Sequence, residues 1–250
     1  MTTKLTPEDN IKIWLDTKKK CYEFQYPYAE SILYNHLRLT PHPQYEKTNI
    51  QVVENDTFSC CEELSHNCVL NVVGLNMANH KYPGGGVESG AYAQEENCFR
   101  RSNYFMFLKS SLYPIPETSC IYTPLISIIK DRNYQPLKVP ITLSMIACAA
   151  LRDPKVTEQD TYLDPQDRAL MKDKISQIFQ VGYQQKKDTL ILGAFGCGAF
   201  HNPPNEVAHL FNQVIQLYDR CFKLLIFAIK GGGQHDHNYQ VFSQIIKTTY

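Results

Sequence analysis

Apolar residues fall in two rhythms along this chain. Compact apolar runs, Ile50-Gln-Val-Val-Glu54, Val69-Leu-Asn-Val-Val-Gly-Leu75, Ile121-Tyr-Thr-Pro-Leu-Ile126, Ile141-Thr-Leu-Ser-Met-Ile-Ala147, Thr189-Leu-Ile-Leu-Gly193 and Leu224-Leu-Ile-Phe-Ala-Ile229, predict strands covered on both faces. Between them, apolar positions recur at helical spacing. Residues 6–38 predict helix with a turn near Tyr26-Pro27, broken by Thr40-Pro-His-Pro43, and residues 57–64, 90–108, 165–185, 205–218 and 238–247 predict further helices. Asp56-Thr57 supplies a capping start and Pro203-Pro204 another. No internal repeat and no low-complexity tract interrupts the pattern. Strands alternating with helices predict a layered α/β domain, in which ligands bind beyond the carboxyl ends of the strands.

Composition narrows the classes. The chain has 250 residues, 43% hydrophobic and 20% charged, enough to bury a full core. Its 25 basic and 25 acidic residues cancel, which argues against general nucleic-acid binding. No apolar run approaches membrane-spanning length, and the first residues, MTTKLTPEDNIKIWLDTKKK, lack the apolar core of a secretory signal. Nine cysteines, none in Cys-x-x-Cys spacing, predict reduced, mostly buried thiols and a cytoplasmic, reducing compartment, with export as an effector left open.

The candidate chemistry lies in two glycine-rich stretches that each follow a predicted strand. The first is Pro83-Gly84-Gly85-Gly86, followed by Gln94-Glu95-Glu96 at the start of a predicted helix. Strand, glycine loop and helix start together present backbone N–H groups to an anion. The loop is neither a Walker loop, since no Gly-Lys-Ser/Thr follows, nor the dinucleotide fingerprint. The second is Gly196-Cys197-Gly198-Ala199-Phe200 after the strand at 189–193.

The spacing of the triple glycine and Gln94-Glu95-Glu96 resembles the signature of the poly(ADP-ribose) glycohydrolases, which are catalytic macrodomains. The run from Val69 to Ser102 resembles the bacterial-type branch. So do Ile50 to Thr57, the stretch Leu192-Gly-Ala-Phe-Gly-Cys-Gly-Ala-Phe-His-Asn202, and Phe227-Ala-Ile229 with Asn238-Tyr239 and Phe242. The resemblance implies a macrodomain-like mixed central sheet with helices on both faces (residues 49–250), preceded by an N-terminal helical extension (residues 1–48). It implies an ADP-ribosyl glycohydrolase that cleaves at the distal ribose of polymeric or protein-linked ADP-ribose and needs no cofactor or metal. The alternative is a non-catalytic ADP-ribose reader. ADP-ribose or an ADP-ribosylated protein is the expected partner, without nucleic acid or membrane, and the chain is expected to be a monomer.

Glycosidic cleavage needs the leaving oxygen protonated, and a carboxyl in a partly desolvated pocket can hold that proton near neutral pH. Neighbouring helical residues point about 100° apart, so two adjacent glutamates do not flank a bond as an opposed pair. One does the proton work and the other holds the ribose hydroxyls. The resemblance assigns the acid to Glu96 and the ribose contact to Glu95. It implies further substrate contacts from Asn76, Gly84, Gly85, Gly86 and Gln94, and from Gly196, Cys197, Gly198, Ala199 and Phe200.

Four other features have plainer readings. Cys60, Cys61, His66 and Cys68 could ligate zinc, but adjacent cysteines diverge on a helix and packing is the expected role. Gly231-Gly-Gly233 with His235-Asp-His237 reads as a solvated loop. Arg100-Arg101 reads equally as an anion-attracting pair or a solvated helix face. Tyr82 stands where family members tend to carry Asn, which shifts the expected preference towards single ADP-ribose units.

Overall fold

The computed structural model describes residues 5–27, 29–64, 70–231 and 236–248. Seven strands, β1 (Ile32–Asn35), β2 (Asn49–Val53), β3 (Val72–Met77), β4 (Ser119–Lys130), β5 (Pro136–Cys148), β6 (Thr189–Leu192) and β7 (Leu224–Ala228), form one sheet in the order β1-β4-β5-β3-β6-β7-β2. The pairs β1–β4 and β4–β5 are antiparallel, and the rest are parallel. The helices are α1 (Pro7–Glu23), α2 (Thr57–Leu64), α3 (Gln94–Arg101), α4 (Pro165–Gln184), α5 (Pro204–Leu217) and α6 (Asp236–Ile245).

The strands are apolar throughout because both faces are covered. Side chains alternate along a strand. Leu190, Leu192, Leu225 and Phe227 therefore pack with Phe179, Phe211 and Phe242 from α4, α5 and α6. Met145, Ile191 and Ile226 face the other way, into a cluster holding Trp14, Phe58, Cys98 and Phe99 from α1, α2 and α3. This is the expected mixed sheet with helices on both faces.

Two predicted helices are shorter than the sequence pattern suggests. α1 starts at a capping box between Thr6 and Asp9, with Pro7 in the first turn, and ends at Phe24, ahead of the Tyr26-Pro27 turn. Beyond it, Ile32–Asn35 is not helix but an edge strand, registered on Ser119–Tyr122 of β4. The first 48 residues are thus not purely helical, and part of them completes the sheet. The helix expected over 90–108 is continuous only from Gln94 to Arg101. Ser102 turns extended and bridges Ile128, and Asn103 accepts from the Ser127 N–H, so β4 captures the chain.

α1 is bolted to α3. The Asn10 side chain donates to the Gly90 carbonyl, and the Thr17 hydroxyl to the Arg100 carbonyl at 2.6 Å. Trp14 packs edge-on against Phe105 at 4.9 Å and lies 6.0 Å from Phe99.

Candidate active site

β3 delivers its chain to the carboxyl edge of the sheet at Met77, and the glycine loop turns back over the start of α3. Gly84 and Gly85 adopt φ of +78° and +51°, which only glycine takes without strain. Close approach adds a second constraint. A Cβ on Gly85 would lie 2.5 Å from Glu96 Oε1 and 3.3 Å from Glu95 Oε2. The triple glycine therefore lets the main chain lie directly against the two carboxylates.

Both glutamates are buried, at 3% and 7% exposure, but they are held differently. Glu95 accepts from the Asn79 N–H at 2.8 Å, the Gly84 N–H at 3.2 Å and Asn76 Nδ2 at 3.2 Å. Three of a carboxylate's roughly four lone-pair directions are thus filled by protein. Burial pushes the Glu95 carboxyl up to about 8, against these donors, which favour its ionised form. Glu96 accepts from the Gly86 N–H at 2.8 Å through Oε1. Among the described residues no donor reaches its second oxygen.

Gln94 braces the site. Its amide oxygen accepts from the Met77 N–H at 2.9 Å, and its nitrogen donates to the Leu75 carbonyl and the Thr57 hydroxyl. The side chain thereby ties α3 to β3 and α2 instead of presenting a free amide to a ligand. The first glycine loop likewise differs from an anion cradle. Its Gly84 and Gly86 N–H groups already point at Glu95 and Glu96.

The second loop follows β6 at the same edge. Gly196 has φ of +75°, and a Cβ there would meet Ala150 and Asn202 at 2.5 Å. Asn202 staples the loop: its Nδ2 donates to Leu151, Gly196 and Phe200 carbonyls, and its Oδ1 accepts from the Tyr162 hydroxyl at 2.8 Å. The Cys197 N–H returns to Ala194 and the His201 N–H to Gly198. The N–H groups of Gly198, Ala199 and Phe200 reach no acceptor among the described residues. A Cβ on Gly198 would meet nothing within 4 Å. Phe200 is partly buried, with the Arg152 guanidinium 5.7 Å over its ring.

Arg100 and Arg101 are neither solvated nor aimed at a ligand: both are fully buried. Arg100 donates to the Asn10 and Ala91 carbonyls. Arg101 pairs with Asp56 at 2.6 Å and donates to the Lys130 carbonyl. Tyr82 is half exposed. His66, Cys68, Gly232, Gly233 and His235 lie outside the described residues, and among those described no group of three metal-ligating side chains converges. Eight unpaired cysteines are described, all but Cys197 buried. No described helix is long and apolar enough to cross a membrane.

Residues 12–131 match the family model for the microbial-type PARG catalytic domain. The crystal structure of poly(ADP-ribose) glycohydrolase (PARG) from Thermomonospora curvata bound to the inhibitor ADP-HPD is similar, with a TM-score of 0.82 at 21% identity, over 95% of this chain and 99% of that one. The Deinococcus radiodurans PARG structure in complex with ADP-ribose gives 0.73 at 22% identity, over 97% and 92%. At such identities the likeness concerns the fold. No curated protein matches the sequence. Asn79 and Asn202 are the site residues that sequence reasoning missed. Asn79 acts through its backbone, which no motif marks. Asn202 closes the recognisable Gly196–Phe200 stretch, and its position there was the available signal.

Proposed function

We propose that the chain is an ADP-ribosyl glycohydrolase in which Glu96 is the proton-transferring group. The observation that carries this reading is the asymmetry of the buried pair: both Glu95 oxygens accept from protein donors, three in all, while Glu96 keeps one oxygen open beside the glycine loop. Glu96 gives its proton to the glycosidic oxygen as the bond to the anomeric carbon of the distal ribose breaks. The ribose passes through an oxocarbenium-like state, and the Glu96 carboxylate then takes a proton from the water that attacks it. Glu95 holds Asn79 and Gly84 in place and retains one lone-pair direction for a ribose hydroxyl. A reader domain has no use for a buried carboxyl with a free oxygen, so the paired glutamates favour the enzyme. Residues 12–131 bear the family match, and the second loop completes the same site from outside them. The test is incubation with ADP-ribose polymer, arginine-linked and glutamate-linked ADP-ribose. Free ADP-ribose is expected from at least one, and release from none would refute the assignment.

The second loop is the proposed diphosphate cradle, since its open N–H groups supply donors without basic side chains. Gly198→Val tests this without disturbing the fold, because its Cβ enters open space. Calorimetry should show ADP-ribose binding weakened at least about tenfold, the scale of one hydrogen bond to a charged group, with adenosine binding and Tm retained. Equal losses for both ligands would make the loop structural. Gly85→Val is a different experiment: its side chain strikes Glu96, so catalysis should fail before binding does.

A further inference from the structure

Arg152 lies at the rim between the two loops. Its guanidinium is above the Phe200 ring, and it is also within Coulombic range of His80, which follows Asn79, the donor to Glu95. Its Nε lies 3.5 Å from Asp153 Oδ2. No described residue accepts from its two Nη groups, and its side chain is half exposed. Asp153 is itself engaged by His201 Nδ1 at 2.6 Å, and its N–H donates to the Phe200 carbonyl. Asp153 and His201 adopt φ of +52° and +54°, a left-handed conformation that non-glycine residues rarely take. The pair thus links the loop after β5 to the second glycine loop. Burial, and then the charges of Lys81, Arg152 and Lys174, hold the His80 imidazole below its usual pKa.

We propose that Arg152 forms a subsite for the diphosphate of the neighbouring ADP-ribose unit, making it a specificity-determining residue for polymeric substrate. The inference rests on the glycohydrolase reading. The bond cut in a polymer joins the distal ribose to the adenosine ribose of the next unit, and that ribose carries a diphosphate a few bonds away. A side-chain-linked single unit offers no phosphate there. The open Nη fork matches a phosphate in geometry and charge. This opposes the preference expected from Tyr82, whose half-exposed ring carries no phosphate donor beyond its hydroxyl.

The experiment compares Arg152→Gln with wild type in kcat/KM on polymer and on protein-linked mono-ADP-ribose. It also compares Glu96→Gln with Glu96→Gln/Arg152→Gln in affinity for short ADP-ribose oligomers and for ADP-ribose. Loss of Arg152 should lower polymer kcat/KM and oligomer affinity at least about tenfold, through KM more than kcat, and leave ADP-ribose affinity in place. Arg152→Lys should restore part of the oligomer affinity, and added salt should narrow the wild-type advantage. Parallel losses for oligomer and ADP-ribose would place the guanidinium in the cradle instead and overturn the proposal, as would no loss for either. If wild type hydrolyses nothing but the oligomer affinity still depends on Arg152, the hydrolase reading fails while the subsite stands.

Discussion

Glu96→Gln should abolish most of the turnover while sparing ligand binding. Glutamine keeps the size of the side chain and an oxygen to accept the Gly86 N–H at 2.8 Å, but has no proton to exchange. General acid–base groups contribute about a hundredfold to ten-thousandfold, so kcat on the best substrate should fall at least about a hundredfold, with ADP-ribose Kd and Tm near wild type. Glu95→Gln should behave in the opposite way. Both Glu95 oxygens accept N–H groups from the protein. An amide nitrogen in either position faces a donor, leaving a buried N–H unpaired at about 1–3 kcal/mol. Its first symptom should be a lower Tm. If Glu96→Gln turns over like wild type while Glu95→Gln folds normally and is inactive, the two roles must be exchanged.

How much of this was legible in the sequence depends on whether the chemistry sits in side chains or in the backbone. The strands could be read because two-sided burial leaves them apolar throughout, and the loops because glycine triplets after a strand are costly unless the main chain must approach something closely. What it approaches was not readable. The spacing from Gly84 to Glu96 suggested phosphate, whereas Gly85 packs against Glu96 and the neighbouring N–H groups serve the carboxylates. Gln94 carries the same lesson, since a polar residue in a motif braces β3 as readily as it greets a ligand. The region 24–38 misled because Ile32–Asn35 is an edge strand whose pairing partner, β4, lies far along the chain. Arg100 and Arg101 misled most. Their charges suggested an anionic ligand or solvent, and only the tertiary structure shows the acceptors that let both be buried.

Arg101→Met should therefore be among the most destabilising single changes in the molecule. The guanidinium is wholly buried and joins three elements: Asp56 ahead of α2, the Lys130 carbonyl at the end of β4, and α3 itself. Methionine keeps much of the apolar stem and so limits the cavity, but it strands the Asp56 carboxylate. Removing one member of a buried ion pair costs about 3–5 kcal/mol. Asp56 is partly exposed and retains the Phe58 and Ser59 N–H groups, so the lower end, about 3 kcal/mol, is expected. For a chain of this size that is a Tm drop of roughly 6–12 °C. The loss should also depend on pH. Burial alone would raise the Asp56 carboxyl, but the Arg101 charge and the Ser59 hydrogen bonds outweigh it and hold it below its usual value. A depressed carboxylate contributes stability above its unfolded pKa of about 3.9, and that contribution is lost as pH falls through the lower folded value. Wild type should thus lose this increment only below about pH 3.9, while Arg101→Met lacks it already at pH 7. Urea denaturation of both proteins at pH 7 and pH 3 decides the matter: the gap between them should shrink in acid. A gap that stays constant would mean that Arg101 stabilises the fold by packing and its carbonyl contact alone, not through Asp56.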